Sequence, residues 1–160
     1  MWVPRVSQIS LDALKDEGVR AIIIDLDNTL VAYRQLEPAH DDADWVAAAS
    51  ACGIHVIMVT NNSTPWAAGI AKDLGISIIA NARKPLPNGF RRALAILEAK
   101  MPKDAMVVIG DQLFTDILGA RLFGVRAILV DPLVQLDPWN TRPLRWLERW
   151  ILHGLPKASS

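Results

Sequence analysis

The run Ile22-Ile23-Ile24-Asp25-Leu26-Asp27-Asn28-Thr29-Leu30 decides how this chain is read. Its unbroken apolar half has the character of a strand buried on both faces, as in a parallel sheet. That strand ends in two carboxylates one residue apart. Side chains along a strand alternate with a period of two, so Asp25 and Asp27 are expected on the same side. Two like charges that close are costly to bury unless a cation or a proton compensates them. Asp-Asn after a strand is also ordinary turn chemistry, so the run by itself leaves a turn and a metal or proton-transfer site both open.

The same pattern recurs along the chain. Apolar, β-branched runs at residues 21–26, 54–60, 77–80, 105–110 and 126–130 read as five strands. Helical segments lie between them. Residues 42–51 are Ala-rich and begin with acidic residues that suit a helix dipole. Ser63 or Thr64 can cap a helix that has Pro65 in its first turn and Gly75 beyond its end. Residues 87–100 place Phe90, Leu94 and Leu97 on one face, and residues 113–123 end at Gly124, a C-cap residue. This alternation predicts an α/β domain of three layers: a mostly parallel five-stranded sheet with helices on both faces, joined by right-handed crossovers. Periodicity does not fix the order of the strands.

Composition narrows the class. The chain has 160 residues, 51% hydrophobic and 21% charged, which suits one globular domain spanning 1–160. Lys+Arg and Asp+Glu both number 17, so no net charge advertises a nucleic-acid partner. Cys52 is the single cysteine, which excludes an intrachain disulfide, and no Arg follows it closely as a cysteine-phosphatase loop requires. It reads as a small core residue. Residues 1–5 lead into no apolar leader, and no apolar run is long enough to span a bilayer. A cytoplasmic location is therefore expected.

Ligands of such sheets bind beyond the carboxyl ends of the strands. The five strands deliver there, in turn, Asp25 and Asp27; Thr60-Asn61-Asn62; Arg83-Lys84-Pro85; Gly110-Asp111 with Asp116 five residues on; and Asp131-Pro132. Singly, each has a structural explanation as a turn, a solvated charge or a helix cap. Jointly, carboxylates, a hydroxyl and a lysine fit phosphoryl transfer. Mg²⁺ takes hard oxygen ligands and needs only one or two protein carboxylates, which Asp25 and Asp111 supply. A carboxylate can act as a nucleophile towards phosphorus, with Asp27 as acid and base. Thr60 and neighbouring backbone N–H groups would hold phosphoryl oxygens, and Lys84 would meet the charge of the transition state.

These elements resemble the four motifs of the haloacid dehalogenase superfamily. The first is Asp25-Leu26-Asp27-Asn28-Thr29-Leu30, the second Thr60, the third Lys84, and the fourth Gly110-Asp111 with Asp116. Residues 24–31, 59–62, 82–85, 110–116 and 141–149 are similar to the YqeG-like group of class IIIA phosphatases within it. The resemblance covers nearly the whole chain. It implies a three-layer Rossmann-like core, Asp25 as nucleophile, Asp27 as acid/base, and Thr60 and Lys84 as further catalytic groups. It also implies Mg²⁺ held by Asp25, the Asp27 carbonyl and Asp111, with Asp116 acting on metal-bound water or orienting Lys84. Asn61, Asn62 and Arg83 are expected to touch the substrate.

Spacing adds that no large cap domain fits between Asp27 and Thr60, or between Thr60 and Lys84. An open site admits phosphate groups on bulky substrates. Residues 141–152, if helical, set Pro143, Leu144, Trp146, Leu147, Trp150 and Ile151 against Arg142, Arg145, Glu148 and Arg149. Such an amphipathic helix, about residues 142–153, either docks on the sheet or lies on an anionic membrane at its inner face. Trp2-Val3-Pro4 is a candidate addition to that surface. Relatives in the YqeG-like group include mitochondrial and plastid enzymes that dephosphorylate phosphatidylglycerophosphate, so the resemblance implies a phospholipid as one candidate substrate. A soluble metabolite, a nucleotide or a phosphoprotein is the alternative. A phospho-accepting receiver domain carries its aspartate on the third strand, whereas the third run here ends in Ala80-Asn81. An inactive binding module would have lost Asp25 or Asp27.

Overall fold

Trp2–Val3 forms a strand that sequence periodicity does not register, and with it the sheet has six strands rather than the expected five. A two-residue strand is too short to show a period; its partner lies at the far end of the described chain. The computed structural model describes residues 1–97 and 101–134. Within it the strands are β1 (Trp2–Val3), β2 (Ala21–Ile24), β3 (His55–Val59), β4 (Ser77–Ile79), β5 (Met106–Gly110) and β6 (Arg126–Val130). Their order is β1-β6-β5-β2-β3-β4, and every pairing is parallel.

From β2 the chain winds outward through β3 to β4, then returns to lay β5 against the other side of β2. The direction of winding therefore reverses between β2 and β5. A reversal of this kind opens a crevice at the carboxyl ends of the two strands, because the loops that follow them leave towards opposite faces. Ile24 is the last residue of β2 and stands level with Met58 of β3 and Ile109 of β5. Asp25 thus emerges in the centre of the sheet edge.

The helices are α1 (Leu11–Asp16), α2 (His40–Ala51), α3 (Pro65–Asp73), α4 (Asn88–Ile96) and α5 (Leu118–Phe123). Alternation along β2 sorts the two cores. Ile22 and Ile24 join Trp45, Val46, Ala67 and Ile70 in one apolar cluster, which packs α1, α2 and α3 on that face. Ala21 and Ile23 join Phe90, Ala93, Ala120 and Phe123 in the other, beneath α4 and α5. Burying an isoleucine fully is worth roughly 1.5–3 kcal/mol, so a strand buried on both faces is strongly held in register.

Local signals explain the helix ends. Thr64 caps α3 by accepting from the Ala67 N–H at 3.4 Å, with Pro65 at the first position. Gly124 ends α5 in the left-handed region at φ 83. The helix α1, capped by the Ser10 hydroxyl, was not legible as a separate element. Residues 113–123 are not one regular helix: Leu113–Ile117 is a wide π turn and α5 begins only at Leu118. Asp42, read as a helix-dipole residue, is fully buried and takes the Arg5 guanidinium at 2.6 Å and the Ser7 N–H at 3.0 Å. It ties the N-terminal segment to α2. Trp2 is spoken for as well, its indole N–H donating to Asp131 at 2.8 Å. Cys52 is half-buried, its thiol donating to the Ala49 carbonyl. No helix among the described residues is long and apolar enough to cross a membrane. The expected helix at about residues 142–153 lies outside the described residues.

Gly89 lets α4 lie against the loop that carries Lys84. A Cβ at this position would sit 2.6 Å from Ala82 Cβ and 3.0 Å from the Ala82 carbonyl oxygen. Ala82 is itself buried and cannot swing aside. Gly89→Ala is therefore expected to lower stability by roughly 1–2 kcal/mol, overpacking outweighing the gain in helix propensity, as urea unfolding would measure.

Candidate active site

Lys84 is the meeting point of the carboxyl-edge loops. Its side chain is only 3% exposed, and its Nζ donates at 2.6 Å to both Asp25 Oδ1 and Asp116 Oδ1. Charge-assisted bonds of this length are among the stronger polar contacts a protein makes. Asn61 fixes the lysine's backbone, accepting from its N–H at 2.7 Å and donating to its carbonyl at 3.2 Å. The chain reaches Lys84 through Asn81 and Arg83, both in the left-handed region at φ 49 and φ 57. Such non-glycine conformations persist where the surroundings over-determine them.

Asp25 continues the pairing of β2 to β5, its N–H donating to the Ile109 carbonyl at 2.9 Å. Asp111 follows β5 and is buried, with Oδ1 accepting from the Thr29 hydroxyl at 3.1 Å. Asp116 is wholly buried, and its Oδ2 accepts from the Gln112 N–H at 3.1 Å. The π turn brings Asp116 back over Gly110, where any Cβ would collide with its carboxylate. One carboxylate oxygen from each of Asp25, Asp111 and Asp116 lies within 4.8 Å of the others.

Asp27 faces a different set of partners. The strand has ended at Ile24, so strict alternation no longer applies. Asp27 is half-buried and accepts from the Thr60 hydroxyl at 3.3 Å and from Asn62 Nδ2 at 3.2 Å. Its carboxylate stands outside the cluster of three. Asn28 at φ 61 then turns the chain, with its Oδ1 accepting from the Tyr33 N–H, and this return places Thr29 under Asp111.

Of the residues expected at a phosphate, Thr60 is fully buried, its Oγ1 bonded to Asp27 and accepting from the Asn62 N–H. The Asn62 Oδ1 takes the Thr64 N–H and hydroxyl, so both asparagine side chains are engaged within the protein. Arg83 stands exposed on the rim beside Lys84. Sequence reasoning assigned nothing to Thr29 and no steric role to Gly110. The signal for the second was present: a glycine that ends a strand directly before Asp111.

One ammonium group serves two buried carboxylates, with a third beside them. Burial pushes the Asp25 pKa up, Lys84 pulls it down, and Asp116 and Asp111 push it up again, leaving it at about 8. Lys84 is raised above its ordinary value because the attraction of Asp116 and Asp25 outweighs its own burial. The cluster is short of positive charge, and its donors are all hard oxygens. That donor set fits a hard divalent cation such as Mg²⁺.

Comparison with known proteins places these features in a family. A haloacid dehalogenase-like hydrolase family model matches residues 32–124, more than half of the chain. A probable phosphatase YqeG from Bacillus subtilis is 38% identical over 156 residues, covering 98% of this chain and 90% of its own. A chloroplastic phosphatidylglycerophosphate phosphatase 1 from Chlamydomonas reinhardtii is 27% identical, over 98% of this chain and 64% of its own length. A haloacid dehalogenase-like hydrolase of Brucella suis shares the fold at a TM-score of 0.60 and 14% identity, over 79% of this chain and 93% of its own. With the six-stranded parallel sheet and the carboxylate cluster at its switch point, these matches make the chain a member of the haloacid dehalogenase-like hydrolases.

Proposed function

We propose that this protein is a Mg²⁺-dependent phosphomonoesterase that works through an aspartyl-phosphate on Asp25. The observation that carries the reading is the Lys84 ammonium held at 2.6 Å from both Asp25 and Asp116, beside Asp111, at the reversal of the sheet. Asp25, Asp111 and Asp116 offer the carboxylates to hold the ion, and the Asp27 backbone carbonyl is a further ligand in this reading. When bound, the ion neutralises repulsion between the anionic phosphate and Asp25 and stabilises the group in transfer.

Asp25 then attacks phosphorus through a carboxylate oxygen, and the bond to the ester oxygen breaks. Asp27 acts as general acid and gives a proton to the departing oxygen. The same carboxylate next takes a proton from a water that attacks the phosphorus of the acyl phosphate, and Asp25 is released unchanged. Asn62 and Thr60 keep Asp27 in place for both transfers. Asn61 keeps Lys84 in place, and Arg83 on the rim meets the phosphate as it enters. For substrate we favour a lipid-borne phosphate monoester such as phosphatidylglycerophosphate. Support comes from the Chlamydomonas relative and from a site that no folded cap covers among the described residues.

Phosphate release from phosphatidylglycerophosphate in mixed micelles with Mg²⁺ tests the reading. Asp25→Asn is expected to retain the fold by circular dichroism and to lose roughly 10³-fold or more in kcat. Turnover of soluble phosphates with no gain from lipid presentation would redirect the substrate to small metabolites.

Gly110→Ala is expected to push Asp116 off Lys84 and lower kcat/KM by roughly 10²-fold, because a small misplacement of a positioning group is costly. Unchanged kinetics in that variant would remove Asp116 from the machinery.

The charge shortage has a pH signature in the metal-free protein. The folded pKa of Asp25 lies near 8 against an ordinary value of 3.8, so the folded state holds this proton more tightly than the unfolded one. Its contribution to stability is complete below about pH 4 and is lost as pH rises towards 8. With EDTA present, the melting temperature is expected to fall across this window, and Asp25→Asn is expected to flatten the fall. Added Mg²⁺ should stabilise increasingly as pH rises, since it binds the deprotonated cluster.

A further inference from the structure

The carboxyl edge displays large apolar side chains that neither core uses. Leu36, in the loop after β2, is 74% exposed, and Leu86, in the loop after β4, is 56% exposed. Tyr33 is exposed in the first of these loops as well. Both leucines are held firmly at their tips. The Trp66 indole N–H donates to the Leu36 carbonyl at 2.9 Å, which ties the loop to the start of α3. Leu86 stands between Pro85 and Pro87 in a turn closed by its N–H on the Arg83 carbonyl at 3.0 Å. An aliphatic side chain presented to water on a fixed turn adds nothing to folding.

Their placement is as telling as their exposure. Leu36 is tied to α3, on one face of the sheet, and Leu86 leads into α4, on the other. The two therefore stand on opposite sides of the mouth through which Asp25 and Lys84 are reached. Arg34 and Arg83 are exposed in the same two loops, both at positive φ, and the Arg34 guanidinium lies 5.5 Å from the Tyr33 ring centre. Against these two cations the loops expose one carboxylate, Glu37.

We propose that this edge docks on an anionic bilayer. Leu36 and Leu86 enter the headgroup region, Arg34 and Arg83 meet lipid phosphates, and a lipid-borne phosphate monoester reaches Asp25 without leaving the membrane. The inference rests on the phosphatase reading and adds the surface through which the substrate is presented. A flat, fluid partner can touch two separated tips at once while leaving the phosphate free to enter between them, and the exposed arginines complement an anionic surface.

Sedimentation of the full chain with phosphatidylcholine vesicles, with and without phosphatidylglycerol, tests it. Wild-type protein is expected to bind the anionic vesicles. Leu36→Asp with Leu86→Asp is expected to lower the partition coefficient by about tenfold or more, while hydrolysis of soluble p-nitrophenyl phosphate stays unchanged. Arg34→Glu should weaken binding to anionic vesicles and reduce its salt dependence. Failure of the wild type to sediment would overturn the proposal. So would equal binding by the doubly substituted variant, which would assign the contact to another segment. Absence of p-nitrophenyl phosphate turnover in the wild type would instead strike the phosphatase reading, leaving the docking result to stand by itself.

Discussion

One ammonium group shared by two buried carboxylates governs the architecture of the site. Lys84 bridges Asp25 and Asp116 at equal distance, and neither carboxylate has another cation within reach among the described contacts. Removing one member of a buried charged set leaves the others uncompensated, so every loop at the edge is constrained to keep the set together. The Asn61 amide holds the lysine's backbone, the π turn returns Asp116, and Gly110 makes room for it. The two left-handed residues before Lys84 are a local cost that this convergence sustains. The same set remains short of positive charge, a deficit that a divalent cation would fill.

The sheet explains why the set forms where it does. Reversal of the winding between β2 and β5 puts Asp25 and Asp111 on adjacent strand ends, 86 residues apart in sequence but neighbours in the crevice. Loops from β3 and β4 then close over one side with Thr60, Asn62 and Lys84. Phosphoryl transfer needs little covalent participation from a protein beyond a nucleophile; most of the work is positioning and charge. An edge where the backbone is pinned by parallel pairing and the side chains by reciprocal hydrogen bonds suits that demand.

Much of this was legible in the residues. The apolar run ending in Asp25 announced a strand of a parallel sheet, because a strand covered on both faces reads as continuously apolar; its central place in the sheet did not follow from it. Thr64-Pro65 and Gly124 marked helix ends for reasons that are local, and local reasons survive folding. What escaped depends on distant partners. The β1 strand has two residues and pairs with β6, so no periodicity could reveal it. The π turn exists because Asp116 must reach back to Lys84 and the Gln112 N–H, a tertiary demand that overrides the regular helix suggested by residues 113–123. Asn61 and Asn62 are expected at the substrate; that their amides also engage Lys84, Asp27 and Thr64 rests on distant partners that the residues after β3 do not announce. Asp42 was legible as a first-turn acid but not as the buried partner of Arg5.

The central claim is that Asp25 becomes covalently phosphorylated. Its most direct test is acid quenching of Asp27→Asn protein during turnover, followed by peptide mass mapping. Slowed hydrolysis of the acyl phosphate in that variant should let the intermediate build up. The account predicts phosphate on the peptide that contains Asp25, and none in Asp25→Asn. Phosphate release that proceeds in wild-type protein with no covalent phosphate trapped under any quench would contradict it, and would assign the attack on phosphorus to water.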